Sequence, residues 1–89
     1  MRKPYLEVTF RHGQPIAAYL YLSRSTGDKS HRTAKATPGM IIDFTESDRP
    51  IGIEITAPTK VTVADINKVL SNLGIPELTS ADIAPLKAA

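Results

Sequence analysis

Two stretches of this 89-residue chain hold residue types that could do chemistry. In PGMIIDFTESDRPIGIEI, residues 38–55, Asp43 and Glu54 come onto one face if the stretch folds back on itself, as diagonal neighbours roughly 5 to 8 Å apart. Carboxylates at that separation perform acid and base work or hold a hard cation. Such work needs burial or a neighbouring charge to set the two groups apart, and an open sheet face supplies neither. The other stretch is RSTGDKSHRTAK, residues 24–35, where Arg24, Lys29, Arg32 and Lys35 can neutralise phosphates beside His31. Four cations on a polar loop give nonspecific, salt-sensitive nucleic-acid binding. Tyr19 and Tyr21, just upstream, offer rings on which bases stack. The chain has no glycine-rich phosphate loop and no nucleic-acid motif, so this binding is expected to be weak.

Residues 11–13 read RHG after the strand-like TF and resemble the signature of histidine phosphatases, in which the histidine takes up the phosphoryl group. That reaction needs a second histidine and further arginines to converge on the first. Here the other histidine is His31, in the polar loop. We therefore read His12 as part of a polar turn and Asp43 and Glu54 as a solvated pair. No catalytic, cofactor-binding or metal residue is assigned, and the expectation is a protein that is not an enzyme. With no cysteine, disulfides, thiolate metal sites and thiol nucleophiles are excluded.

A chain of this length makes one domain, 1–89, that buries only roughly 60 to 65% of its unfolded surface, too little for a deep cleft. Its 42% hydrophobic and 22% charged fractions are those of an ordinary globular protein. The apolar run 16–22 is far shorter than the roughly 20 residues of a membrane span, and MRKPYLEV lacks the apolar core of a signal peptide. No membrane partner and a cytoplasmic location are expected. The net charge of +2 is uneven, with seven Lys/Arg against two Asp/Glu in residues 1–35 and four against seven beyond. A basic patch for an acidic partner, or two faces of one sheet, would both produce that split.

The positioning elements follow from periodicity. Residues 5–10 alternate, with Leu6, Val8 and Phe10 on one side, and residues 17–23 place Ala18, Leu20 and Leu22 inward with Tyr19 and Tyr21 outward. The turn at 11–15 makes these a hairpin. Residues 24–35 lead into a weak edge strand near 32–37. In the second hairpin, pairing 45 with 50 sets Phe44 against Ile51, Ile42 against Ile53 and Met40 against Ile55. A one-residue slip would turn half of these outward. A two-residue slip would set Asp43 against Glu54, so the preferred register puts Asp43 opposite Gly52. At residues 62–73 the period changes: Val63, Ile66, Leu70 and Leu73 form a helical stripe between a Thr62/Asp65 capping pair and a Gly74 stop. Thr79 and Asp82 repeat the capping pair before Ile83, Pro85 and Leu86, predicting a short helical turn and tail over 79–89.

The predicted fold is α+β, an antiparallel sheet of two hairpins and about four strands over 5–57, covered on one face by the helix, with a short second helix after it. Its core is Leu6, Val8, Phe10, Leu20, Leu22, Met40, Ile42, Phe44, Ile51, Ile53, Ile55, Ile66, Leu70 and Leu73. Outward, Tyr5, Tyr19, Tyr21 and Ile41 leave the sheet less polar than a free surface, as an interface would be.

AAYLYLS and PGMIIDFTESDRPIGIEI resemble a family of small, mainly prokaryotic proteins designated domain of unknown function 2283. Its members have a segment similar to ALYIRLS and a hairpin similar to PGVIVDLDEDGRVVGIEI. The resemblance covers roughly residues 5–57. Met40, Ile42, Asp43, Gly52, Ile53, Glu54 and Ile55 match the hairpin. Asp48 stands in place of the family's turn glycine and Pro50 in place of an aliphatic residue; Asp tolerates the left-handed backbone such a turn needs. Members lie beside genes for small toxins, so the resemblance implies an antitoxin-like binding role. We therefore expect a protein-interaction module that engages a protein partner or itself through Tyr5, Tyr19, Tyr21 and Ile41, or through a strand edge. The alternative is weak nucleic-acid binding through Arg24, Lys29, Arg32 and Lys35.

Overall fold

The computed structural model describes residues 4–22, 27–36, 39–79 and 81–82. Five strands, β1 (Tyr5–Arg11), β2 (Gln14–Tyr21), β3 (Arg32–Ala36), β4 (Met40–Phe44) and β5 (Pro50–Ile55), precede one helix, α1 (Val63–Asn72). They form a single antiparallel sheet in the order β1-β2-β5-β4-β3, so the α+β class is as expected. The strand count is not. Residues 32–36, short and polar, form a fifth strand paired along its length with β4. The β1–β2 hairpin joins the β3-β4-β5 meander through the pairing of β2 with β5.

At the first hairpin Arg11 pairs with Gln14, and His12 and Gly13 between them have φ of 52° and 76°. Positive φ at both central residues is the type I′ turn, whose twist matches that of the flanking strands. The β4–β5 register is as predicted at Met40↔Ile55, Ile42↔Ile53 and Asp43↔Gly52, but Phe44 meets Pro50 and not Ile51. One extra residue, Ile51, is accommodated in β5 and fully buried there. Asp48 takes the left-handed φ of 64° in the connecting turn.

A second shift corrects the predicted core. Thr9 pairs with Ala17 and Phe10 with Pro15, so Ile16 is the extra residue in β2. This end of the hairpin lies past Ala18, where β5 stops pairing with β2, and Phe10 is 45% exposed and Ile16 48%. Pro15 sits inside the strand beside the bulge, one of the few places where a ladder tolerates a missing N–H.

The inner face otherwise follows the alternation. Leu20, Ile53, Ile55, Met40 and Ile42 are buried with Ile66, Val69 and Leu70 of α1, and Leu6, Val8, Phe44 and Leu73 pack partly buried around them. Each fully buried Leu or Ile contributes about 1.5–3 kcal/mol relative to exposure. The helix begins at Thr62, whose hydroxyl accepts from the Asp65 amide while the Asp65 carboxylate accepts from the Thr62 amide, closing a capping box. Val61 and Ile66, at the positions a hydrophobic staple joins, are both in the core. At the other end Ile75 N–H donates to the Leu70 carbonyl and Gly74 N–H to that of Ser71, a Schellman motif made possible by φ of 74° at Gly74.

Beyond it the Asn67 side chain clamps Leu78, donating to its carbonyl at 3.0 Å and accepting its amide at 2.7 Å, and Leu78 is buried. The Thr79/Asp82 contacts form, with the Thr79 amide donating to Asp82 Oδ2 at 2.9 Å. Ile83, Pro85 and Leu86 of the expected second helix lie outside the described residues, among which α1 is the one helix. None among them is long and apolar enough to cross a membrane.

Candidate interaction surface

Two rows of side chains cross the outer face. One runs Tyr5, Tyr21, Gly52, Asp43, Thr33 from β1 to β3; its neighbour runs Glu7, Tyr19, Glu54, Ile41, Lys35. Three of the four residues expected at an interface, Tyr5, Tyr19 and Tyr21, come together. Tyr5 stacks on Tyr21 with ring centroids 4.6 Å apart, and Tyr19 meets Tyr21 edge-on at 4.7 Å. Such ring pairs each add about 0.5–1.5 kcal/mol beyond area burial. Ile41, half-buried, lies two strands away and opposite Glu54.

Tyr19 does more than fill the face. Its ring lies across Gly52, where a Cβ would collide with the ring and hydroxyl, and its hydroxyl donates to Asp43 Oδ2 at 2.6 Å. A short bond from a phenol to a carboxylate is of the strong, charge-assisted kind. It ties β2 to β4 over the top of β5. Ser30 Oγ donates to the other Asp43 oxygen at 3.2 Å, bringing the loop before β3 onto the same carboxylate. Tyr21 donates to Glu7 Oε1 at 3.3 Å. Asp43 is thus an anchor for a tyrosine, while Glu54 stands exposed one row away. Sequence reasoning missed this anchor; its signal was Gly52, a glycine in a strand interior, which marks close approach of another group.

The remaining candidates are dispersed. His12 caps the hairpin at one end of the sheet, and His31, whose amide donates to the Phe44 carbonyl, opens β3 at the other. Among the described residues no group of three His, Asp or Glu is arranged to hold a metal. Of the basic loop, Arg24 lies outside the described residues, and Lys29 and Lys35 are exposed. Arg32 is engaged: Nε is 3.0 Å from Asp48 Oδ1 and the guanidinium lies 4.2 Å from the Phe44 ring centroid. Arg49 holds both oxygens of Asp28, at 2.7 and 2.8 Å. An open concavity of about 640 Å³ between residues 27–31 and 45–47 is lined by hydroxyls and by charges of both signs, Lys29 among Asp28 and Glu46, with His31 beside them. No family model, curated protein or solved structure matches the chain.

Proposed function

We propose that the chain is a non-enzymatic protein-interaction module, antitoxin-like as its resemblance to domain of unknown function 2283 implies, which engages a protein partner or a second copy through its outer sheet face or a strand edge. The observation that supports this reading is the packed Tyr5, Tyr21 and Tyr19 cluster on the face opposite α1. Aromatic rings are enriched at interfaces. Rings already held by one another and by Asp43 avoid the ordering cost of about 0.5–1.5 kcal/mol that a mobile side chain adds to association.

The test is affinity capture from the source cell followed by mass measurement, using the wild type and a Tyr21→Ser/Ile41→Ser double variant with unchanged far-UV circular dichroism. The variant is expected to lose the captured protein, and equal capture by both would refute the outer face as the binding surface. Exposed Lys29 and Lys35 favour a second reading, weak nucleic-acid binding through residues 24–35. It requires a gel shift at low salt that disappears as salt rises; a shift indifferent to salt would remove it.

A further inference from the structure

We propose that β1 is the seam of a symmetric dimer, in which two copies pair their β1 strands antiparallel with Val8 opposite the partner's Val8, continuing the sheet from one copy into the other. The proposal rests on the interaction-module reading and specifies one of its surfaces. Among the described residues β1 is hydrogen-bonded on one side only, to β2, and the free side of an edge strand is a template for another strand.

Edges are usually protected by shortness, by charged side chains, lysine above all, by proline, or by a bulge in the edge strand itself. β1 carries two charges, Glu7 and Arg11, and has none of the other protections. It is seven residues long, YLEVTFR, and the extra residue of its hairpin bulge is Ile16 in β2, which leaves β1 regular. Its inward residues are incompletely covered: Leu6 and Val8 are only partly buried, and Phe10 is 45% exposed.

The strand is complementary to itself in one register. Directly opposed residues must share parity, or the apolar face of one copy would continue as the polar face of the other. With Val8 on the two-fold axis all seven residues pair. Leu6 then covers the partner's Phe10, Glu7 meets the partner's Thr9, and Tyr5 meets the partner's Arg11, where a guanidinium can lie over the ring. Moving the axis to Glu7 shortens the overlap and sets two carboxylates face to face. Moving it to Thr9 allows Glu7 to meet the partner's Arg11, but leaves Tyr5 and Leu6 unpaired. The central register is the one that covers every apolar residue without opposing like charges. It is also isologous, and so closes at two copies.

Sedimentation equilibrium over a concentration series should give a species of twice the 9.7 kDa chain mass. Phe10→Lys, at an exposed position, should return it to the monomer mass with unchanged far-UV circular dichroism. Because the chain has no cysteine, single replacements report the axis directly. Val8→Cys should cross-link on oxidation, and Glu7→Cys and Thr9→Cys should not. A monomer at all concentrations, a dimer indifferent to Phe10→Lys, or cross-linking at residue 7 or 9 would overturn the proposal. Tyr21→Ser/Ile41→Ser lies outside the seam, so loss of a captured protein by that variant from a monomeric wild type would overturn the seam alone and leave the module reading standing.

Discussion

β3 and β1 close the same sheet on opposite sides, and they manage an open edge differently. β3 is five residues long, with Arg32 and Lys35 exposed and only Ala34 and Ala36 facing inward. Arg32 is pinned by Asp48 and lies over the Phe44 ring. On this side α1 lies alongside, and Val69 and Leu73 share with Ala36 and Ile42 a groove rimmed by Lys35 and Lys68. β1 is longer, faces inward with Leu6, Val8 and Phe10, and ends in a bulged hairpin where Phe10 and Ile16 reach solvent. The physical reason is width. Five strands at about 4.8 Å spacing present a face roughly 20 Å across, and a helix is about 10–12 Å wide with its side chains. One helix cannot cover both edges; among the described residues the less covered edge is the one with larger apolar residues.

The largest expected effect tests that allocation. Leu70→Ala removes a fully buried contact from α1 and should cost about 2–5 kcal/mol in urea denaturation. Phe10→Ala, measured at a concentration where the chain is monomeric, should stay within about 0.5 kcal/mol of wild type. Equal losses would erase the distinction between the covered and uncovered sides. An intermediate effect concerns the tie that joins the two sides across β5. Gly52→Ala drives a methyl into the Tyr19 ring and should cost about 1–3 kcal/mol, and Tyr19→Phe, which removes the charge-assisted bond to Asp43, should cost about 1.5–3 kcal/mol. A neutral Gly52→Ala would mean that Tyr19 does not lie across β5. The smallest effect belongs to the β3 edge. Arg32→Ala removes an exposed ion pair and should cost about 0.2–1 kcal/mol, with the difference shrinking as salt is added. A larger loss that salt leaves unchanged would make Arg32 a packing residue and not a charged guard of the edge.

What was legible in the sequence was what repeats locally. The α1 boundaries followed from Thr62, Asp65 and Gly74, and the β4–β5 register followed from keeping Met40, Ile42, Ile53 and Ile55 on one face while holding Asp43 away from Glu54. Single-residue insertions were not legible. Alternation carried to Phe10 predicts burial, yet the bulge at Ile16 and the end of β5 pairing leave that ring in solvent. β3 is faint in the sequence because a strand of Arg, Thr, Ala, Lys and Ala has little apolar period; its pairing with β4 decides it. At the candidate surface, the outward direction of Tyr19 and Tyr21 was readable from β2 alone. The bond from Tyr19 to Asp43 was not, because it depends on β5 lying between β2 and β4, an order set by contacts far apart in the chain.

The tyrosine cluster also gives the protein an optical property. The chain has three tyrosines and no tryptophan, and all three lie in one cluster with neighbouring centroids 4.6 and 4.7 Å apart. Near-ultraviolet absorption and circular dichroism therefore come chiefly from the place where β1, β2 and β5 meet, while among the described residues the far-ultraviolet signal of helix comes from α1. Following the two bands through one unfolding transition compares the closure of the sheet with the docking of its helix, a direct test of two-state behaviour in an unlabelled chain.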